Sequence, residues 1–427
     1  MRRQNLPFDS ELRHYLMNPS EGVEDSNHGQ NMSDRQEEVG HPSRPATSAP
    51  QESVQNTRSN PSPKRNSAKK KSSSKCSILC RLFYNLLNYV IATFWGLCTA
   101  WILVLVLVYL FYGTTLALVL ALVAILGLAY NIQDKLLYFP DEPESSRFYV
   151  APPQSTGLPY EDLYLQTSDR VRVSAVLFKQ AEPLFSRAPT VLFFHGNAGN
   201  IAHRYFNAHG LYAMCGCNIL FLEYRGFGRS EGRPSEAGFY LDAQAALDYL
   251  HRRGDIDTRR IVVFGRSLGG AVAINLASQT VNRGKIAGLV IENTFTSIPD
   301  MGTVIFRTGL LRWVPLFLVK NQYFSINKVK HIRTSTLFIS GVEDELVPSK
   351  MMHELFLRCG TKNKQLIRFE GGTHNETWRC HGYFTVLREF LTQATYRETQ
   401  LIKDLPVGAQ RVRDTSETST RHHIETV

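Results

Sequence analysis

The stretch IVVFGRSLGG, residues 261–270, decides the expected fold of this chain. Four apolar residues that suit a buried strand run directly into Gly-Arg-Ser-Leu-Gly, and the small residues at 271–273 suit the start of a helix. Gly265 and Gly269 let the backbone bend sharply between strand and helix, so that the Ser267 hydroxyl stands exposed above the sheet edge. A helix that begins there directs backbone N–H groups at the serine. Ser267 is therefore the candidate nucleophile.

A second Gly-x-Ser-x-Gly pattern occurs at residues 228–232, GRSEG. A Tyr-Arg-Gly-Phe loop separates it from the preceding apolar run, and Arg233-Pro234 follows it in place of an apolar helix. This context lacks the strand–turn–helix arrangement that a nucleophile requires. We therefore interpret Ser230 as a loop residue.

An acidic loop follows the apolar run at 336–340 and supplies the expected orienting carboxylate. A serine needs a base and an acid to act as a nucleophile at neutral pH, and in this arrangement the acid precedes the base in the chain. Asp344 lies just past the end of the predicted strand, with Glu343 and Glu345 as rivals. A purely solvated acidic turn is the alternative interpretation.

A glycine-rich loop after the last predicted strand, residues 366–369, carries the expected base. His374 follows Gly371 and Gly372 there, so its side chain can reach over the nucleophile. His353 and His381 fall inside predicted helices and are expected to pack or to face solvent. The sequence thus favours His374 as the general base.

The loop after the strand at 191–194 is the candidate oxyanion hole. Its sequence, HGNAGN at 195–200, lets the chain turn at Gly196 and brings the backbone N–H of Asn197 to face that of Leu268. An ordinary glycine-rich strand–helix turn is the alternative.

Several separate motifs resemble those of the α/β-hydrolase domain-containing proteins of the fungal bud-emergence type, over about residues 130–391. The resemblance implies a Ser-Asp-His triad on Ser267, Asp344 and His374. One departure is Asp169-Arg170, where relatives usually have Asp-Gly, and it is expected to affect the geometry of an early hairpin turn. The motifs are LYFP at 137–140, HGNAGN at 195–200, EYRGFG at 223–228, GRSLGG at 265–270, ENTF at 292–295 and GTHN at 372–375.

Strand and helix patterns alternate from Tyr160 to Leu391, which predicts a mostly parallel sheet of roughly eight strands that is covered on both faces. With the resemblance, this implies an α/β-hydrolase fold for the catalytic domain at 134–396. A segment at about 297–328 interrupts the alternation with apolar side chains and is the expected short cap. Its apolar surface suits an acyl pocket, a membrane contact or ordinary core packing. The predicted strands are 162–166, 172–178, 190–194, 218–222, 261–264, 287–291, 337–340 and 365–369; the predicted helices are 201–214, 236–252, 268–278, 350–359 and 376–393.

The other segments of the chain differ sharply in composition. Residues 1–81 and 397–427 are polar, with few aromatic residues, and both are predicted to be disordered tails. Residues 82–133 contain no charged side chain and are apolar enough for a transmembrane segment. Either 86–110 and 115–129 cross as a hairpin that turns at 111–114, or 101–130 is one tilted helix and 82–98 lies at the interface.

The net charge of +10 is concentrated just before this apolar segment. A basic run there places the N-terminus in the cytoplasm by the positive-inside rule, suits anionic lipid headgroups and makes nucleic acid an improbable partner. Cys76 and Cys80 are candidate palmitoylation sites or unmodified thiols. The side of the membrane on which the hydrolase domain lies stays open. Its cysteines and the sequon at Asn375 favour the cytosol, which two crossings would give. The resemblance implies a single-pass signal anchor, which would place the domain in the lumen or outside the cell. The basic residues are Lys64, Arg65, Lys69, Lys70, Lys71, Lys75 and Arg81.

The pattern as a whole predicts a membrane-anchored serine hydrolase that cleaves acyl esters or thioesters. No clustered metal ligands occur, so neither a metal nor a cofactor is implied. Relatives in the resembled family include depalmitoylases and lysophospholipid hydrolases, which ranks palmitoyl-protein thioesterase first and phospholipid or lysophospholipid lipase second. A peptidase is third, and a catalytically silent membrane adaptor is the alternative from another class.

Overall fold

The computed structural model describes residues 84, 88, 92, 95–309 and 313–403 of the 427-residue chain, with side chains up to residue 396. The predicted tail at 1–81, the basic run, and Cys76 and Cys80 lie outside the described residues. The predicted C-terminal tail begins within the last helix, which continues to Lys403. All elements described below belong to one compact unit, Val90–Val427.

The described part of the chain contains eight strands and nine α-helices, besides short 3₁₀ helices and loops. The strands are β1 Tyr160–Gln166, β2 Arg172–Phe178, β3 Thr190–Phe194, β4 Asn218–Leu222, β5 Ile261–Arg266, β6 Gly288–Glu292, β7 Ser335–Gly341 and β8 Lys364–Phe369. The helices are α1 Trp95–Tyr112, α2 Thr114–Leu137, α3 Tyr205–Cys215, α4 Glu236–Arg252, α5 Leu268–Ser278, α6 Ile298–Ile305, α7 Ser325–Lys328, α8 Ser349–Arg358 and α9 Tyr383–Lys403.

The strands form one eight-stranded sheet in the order β1-β2-β4-β3-β5-β6-β7-β8. Strand β2 pairs antiparallel with both β1 and β4, and every other neighbouring pair is parallel. The predicted α/β-hydrolase fold with a mostly parallel sheet is confirmed. Because the strands from β3 onward run in the same direction, the loops that follow them meet at one edge. We call it the carboxyl edge.

Hydrophobic cores cover both faces of this sheet. Leu192 and Phe194 of β3 join a cluster formed with α4, α5 and α8, whereas Val191 and Phe193 join one formed with α3 and α9. Successive residues of a strand point to opposite faces, so a strand that is buried on both sides needs an unbroken apolar run. This is why β3, β4 and β5 are apolar along nearly their whole length.

Two α-helices begin several residues later than the sequence predicts. The helix expected at 376–393 begins only at Tyr383, after a 3₁₀ turn at Thr377–Arg379, so His381 precedes the helix instead of lying inside it. The reason is Gly382, whose φ of +80° is incompatible with a right-handed helix. Likewise, the helix expected at 201–214 opens with a 3₁₀ turn, Ile201–Arg204, before α3.

The helices α1 and α2 are both long and apolar enough to cross a membrane. The helical run breaks at Gly113, which has a φ of +84° and lies inside the turn that the hairpin interpretation expects at 111–114. Helix α2 continues past residue 133, so the predicted boundary between the membrane segment and the hydrolase domain falls within one helix. The number of membrane crossings stays a prediction.

Candidate active site

The turn between β5 and α5 places Ser267 above the sheet in a strained conformation. Its φ of 55° and ψ of −121° lie outside the regions that non-glycine residues prefer. A Cβ on Gly265 would lie 2.2 Å from the carbonyl oxygen of Gly269, and one on Gly269 would lie 2.1 Å from that of Phe194. The turn is therefore this tight only because Gly265 and Gly269, two residues before and after the serine, lack side chains.

Two contacts from the end of β6 hold the strained turn in place. The Ser267 N–H donates to the carbonyl oxygen of Glu292 at 2.9 Å, and the hydroxyl of Thr294 donates to the Ser267 carbonyl oxygen at 2.6 Å. Both peptide groups that flank the Ser267 side chain are thus fixed by one neighbouring segment, which holds the serine in its strained conformation.

Three distant side chains converge at the carboxyl edge. Nε2 of His374 lies 3.0 Å from Oγ of Ser267, and Nδ1 of His374 lies 2.8 Å from Oδ2 of Asp344. Ser267 follows β5, Asp344 follows β7 and His374 follows β8. The imidazole therefore links the hydroxyl to the carboxylate, which is the arrangement that lets a histidine withdraw the hydroxyl proton.

The acidic loop offers three carboxylates, and only that of Asp344 lies against the imidazole ring. Its side chain is 2% exposed, and its Oδ1 accepts hydrogen bonds from the N–H groups of Leu346 at 2.9 Å and Val347 at 2.8 Å. Glu343 and Glu345 are exposed. The Glu345 carboxylate accepts a long 3.3 Å hydrogen bond from the backbone N–H of His374, so it holds the base loop rather than the ring.

The loop HGNAGN lies beside the serine, as the oxyanion interpretation requires. A Cβ on Gly196 would lie 3.6 Å from the Cβ of Ser267. Asn197 is held by the chain that leaves α2: its side-chain amide donates to the carbonyl oxygen of Leu137 at 2.8 Å, and its own carbonyl oxygen accepts from the Phe139 N–H at 2.9 Å. Leu268 is the first residue of α5, where backbone N–H groups have no intrahelical partner.

Glu223, the residue after β4, contacts the chain at both ends of the HGNAGN loop. It is fully buried, its Oε1 lies 3.2 Å from Nε2 of His195, and its Oε2 accepts from the Ile201 N–H at 3.1 Å. A cation also holds the loop, because Arg204 donates to the Ala198 carbonyl oxygen at 3.1 Å. Burial, with Arg266 nearby, lowers the pKa of Arg204 to about 10, so it stays charged at neutral pH. The loop is thus bound at both ends.

Asn293 connects the acid and base loops, a role that sequence reasoning did not assign. Its side-chain oxygen accepts from the Gly341 N–H at 2.8 Å, at the end of β7. Its amide nitrogen donates to the carbonyl oxygens of Thr373 and His374, at 3.2 and 3.1 Å, and to the Thr377 hydroxyl at 3.0 Å. The residue is 1% exposed and has a φ of 46°. The only available signal was its place in the ENTF motif at 292–295.

The alternative serine and histidines of the sequence make no hydrogen bond or ion pair with the candidate triad in the described part of the chain. The Ser230 hydroxyl donates to the Glu223 carbonyl oxygen and accepts from the Ser174 N–H, both at 2.8 Å, so both hydrogen bonds tie it to the backbone. His353 lies on α8, as predicted, and His381 is exposed just before α9. Neither histidine takes part in the Ser267–His374–Asp344 contacts.

Comparison with known proteins agrees with this architecture. The family model Hydrolase_4, described as serine aminopeptidase S33, matches residues 186–330. The α/β-hydrolase domain-containing protein WAV2 of Arabidopsis thaliana is 42% identical over 66% of this chain and 93% of its own length. Protein bem46 of Schizosaccharomyces pombe is 39% identical with the same coverage. An uncharacterized membrane protein of Saccharomyces cerevisiae, YNL320W, is 36% identical over 66% of this chain and 96% of its own length.

Among solved structures, the Pyrococcus furiosus esterase Pf2001 aligns with a TM-score of 0.48 and 23% identity, over 58% of this chain and 97% of that one.

The sheet order and the curated relatives define this protein as an α/β-hydrolase, and it is an enzyme of the hydrolase class. The chain belongs to the family of α/β-hydrolase domain-containing proteins that includes WAV2 and bem46. Its two apolar helices, together with a relative that is called a membrane protein, indicate membrane association.

Proposed function

We propose that this protein is a membrane-anchored serine hydrolase that cleaves acyl esters or thioesters, with palmitoylated protein as its substrate. The observation that carries the proposal is the pair of contacts at His374, 3.0 Å to the Ser267 hydroxyl and 2.8 Å to the Asp344 carboxylate. Residues 134–396 are the catalytic domain in this proposal, and the apolar segment at 82–133 is the anchor.

In the proposed reaction, Oγ of Ser267 bonds to the acyl carbon while Nε2 of His374 takes the hydroxyl proton. Asp344 holds the ring tautomer through Nδ1 and stabilises the imidazolium that forms. The imidazolium then gives its proton to the departing thiolate or alkoxide as the bond to the acyl carbon breaks. A water molecule hydrolyses the acyl-serine by the same proton transfers and releases the fatty acid.

The negative charge on the acyl oxygen needs donors that are already in place. The backbone N–H groups of Asn197 and Leu268 are the proposed pair, and each such donor typically contributes about 2.7–4 kcal/mol to lowering the barrier. The contacts of the Asn197 side chain and carbonyl with residues 137–139 fix this loop before substrate arrives. Little reorganisation is then needed when the charge develops.

A fatty acyl substrate is favoured because the apolar helix α2 ends at Leu137, which Asn197 of the proposed oxyanion loop contacts. The apolar segment at 297–328 begins three residues after Thr294, which contacts Ser267. Thioester cleavage on palmitoylated protein is ranked above cleavage of phospholipid or lysophospholipid. Peptide cleavage is the third candidate, supported by the serine aminopeptidase description of the matching family model, since the same triad cleaves amides.

The test is labelling of the full chain in membranes with a fluorophosphonate probe, which reacts with an activated serine. We expect wild type to label and Ser267→Ala to lose labelling completely. Ser230→Ala is the motif-matched control, and it should label as long as its melting temperature shows that it is folded. A folded wild-type protein that never labels would favour the silent adaptor.

Turnover measurements then assign the substrate. Palmitoyl-thioester peptide, lysophospholipid and an aminoacyl peptide are compared for wild type and Ser267→Ala. The expected order of kcat/KM is thioester, then lysolipid, then peptide, and the alanine variant should lose about 10⁴- to 10⁶-fold in kcat. Preference for the peptide, abolished by Ser267→Ala, would refute the acyl assignment while keeping the triad.

A further inference from the structure

An exposed apolar loop lies beside the last turns of α2. We call residues 313–320 the cap loop. Its side chains include Trp313, which is 84% exposed, Phe317, which is 79% exposed, and Leu316, which is 51% exposed. Contiguous exposed apolar groups of this size mark a surface that contacts a partner or a membrane.

Hydrogen bonds fix the cap loop to the polar end of α2. The Gln133 side chain donates to the carbonyl oxygen of Leu318 at 2.7 Å and accepts from the Lys320 N–H at 2.8 Å. The Lys320 ammonium also forms an ion pair with Asp134, whose other oxygen accepts from the Asn321 side chain at 2.7 Å. The position of the loop along α2 is therefore determined by several bonds at 133 and 134.

The loop also lies alongside the apolar part of α2. A cleft of about 430 Å³ separates them, lined by α2 side chains between 126 and 133 and by loop side chains between 313 and 318. Residues 126 and 133 are about 10 Å apart along the helix axis, because an α-helix rises about 1.5 Å per residue. The loop thus reaches about two turns back from the polar end.

The length of α2 gives the depth of the cap loop in a membrane that this helix spans. Its 24 residues span about 36 Å, slightly more than the roughly 30 Å of a bilayer's hydrocarbon core. Charged residues begin only at Asp134, so the membrane surface lies near that residue when α2 spans the bilayer. Side chains beside 126–133 then lie at or just below the surface, in the zone where Trp and Tyr concentrate.

From this geometry we propose that the cap loop is inserted into the bilayer interface next to α2, with Trp313 and Phe317 among the lipids. The occupant of this face is bilayer lipid, because one cleft joins Trp313 to Leu126 and Tyr130. Both are exposed side chains of α2, which is long and apolar enough to cross a bilayer. The inference depends on membrane association and not on the proposed triad.

The experiment measures quenching of Trp313 fluorescence by lipids brominated on their acyl chains. The full chain has four tryptophans, so Trp95, Trp101 and Trp378 are changed to phenylalanine and the protein is reconstituted in nanodiscs. We expect brominated phosphatidylcholine to lower Trp313 emission at least twofold, whereas aqueous acrylamide quenches it weakly.

The matched control is a variant without native tryptophan that carries Val281→Trp. Val281 is 65% exposed and lies after α5, at the sheet edge opposite Ser267. Its emission should respond to acrylamide and not to brominated lipid. If Trp313 behaved like this control, or were shielded from both quenchers as a second copy would shield it, the proposal would be wrong.

Fluorophosphonate labelling of the same nanodiscs separates this inference from the proposed function. Quenching without labelling would leave the membrane contact standing and refute the hydrolase proposal. Labelling without quenching would refute the membrane contact and leave the hydrolase proposal standing.

Discussion

At the scale of single residues, the candidate site depends on a few buried polar side chains that do not touch substrate. Asn293 is the clearest case, because one amide joins the strand that carries Asp344 to the loop that carries His374. A hydrogen bond left unmade at a buried group costs about 1–3 kcal/mol. Asn293 is thus a positioning residue in the proposed mechanism.

We expect Asn293→Ala to lower kcat about 10²-fold with little change in KM, because small misplacements of reacting groups have effects of that size. The free energy of unfolding should fall by about 1–3 kcal/mol. Hydrolysis of a soluble ester, read as separate kcat and KM values, checks the first effect, and chemical denaturation checks the second.

The matched control is Asn282→Ala. Asn282 is 2% exposed and hydrogen-bonds Gln244 and the Leu276 carbonyl oxygen, away from the site. It should lose comparable stability and keep its kcat. Equal losses of kcat in the two variants would show that Asn293 acts through stability alone.

At the scale of elements, close approach between the β5–α5 turn and β3 determines the elbow. In an ordinary helix, glycine-to-alanine substitution gains about 1 kcal/mol because alanine has the higher helix propensity. Gly269 is the opposite case, because an added Cβ would lie 2.1 Å from the Phe194 carbonyl oxygen, a backbone atom of β3. The helix can approach the strand this closely only without that side chain.

Gly269→Ala should therefore destabilise the protein by about 3 kcal/mol, the upper range for overpacking, and abolish fluorophosphonate labelling. Gly254→Ala is the control, since no atom beyond its two chain neighbours lies within 4 Å of its added Cβ and its backbone is not left-handed. Thermal unfolding of both variants checks this, and a stable, labelling Gly269→Ala protein would contradict the described turn.

The hairpin between β1 and β2 contains the departure from the family pattern. Arg170 has a φ of 66°, a left-handed conformation that costs a side-chain-bearing residue roughly 1–2 kcal/mol. This is the physical reason why glycine suits the position.

Arg170→Gly should raise the free energy of unfolding by about 0.5–1 kcal/mol, because relief of strain exceeds the entropy that glycine adds to the unfolded chain. Arg170→Ala removes the guanidinium and keeps the Cβ, so it should give no gain. Urea denaturation of both variants measures the difference. A gain in the alanine variant would instead assign the effect to charge.

At the scale of the whole molecule, one ionic cluster joins three separate parts of the fold. Arg225, after β4, contacts Asp169 of the first hairpin at 2.7 Å and Asp242 of α4 at 2.9 Å. Hydrogen bonds from Arg225 lower the pKa of Asp169 to about 2, whereas burial raises the pKa of Asp242 to about 6. The two carboxylates therefore affect stability in different pH ranges.

Asp169 should stabilise the protein above about pH 4, and this contribution should disappear as the pH falls toward 2, because the unfolded chain binds the proton more readily. The loss should stay below about 1 kcal/mol, since the Asp169 side chain is 39% exposed and solvent screens the pair.

Melting temperatures of wild type and Asp169→Asn between pH 4 and 2.5 check this prediction. The variant should show the smaller decrease. Between pH 6 and 4 the two proteins should differ little, because Asp169 stays ionised in the folded state there. Asp242 titrates in that range with the opposite sign: its pKa is raised mainly by burial, which the substitution keeps, so its protonation favours the folded state in both proteins. Parallel curves down to pH 2.5 would contradict the assignment to Asp169.

Local sequence by itself determined the elements of this protein. The elbow at Ser267, the apolar strands and the two long apolar helices can be predicted because strand and helix periodicity and glycine turns depend on neighbouring residues. Tertiary structure decided that Asp344, not Glu343 or Glu345, meets the imidazole, that Asn293 joins two loops, and that Asn197 is bound to the end of α2. Those contacts join residues far apart in the chain, and only the order of strands in the sheet brings their loops to one edge.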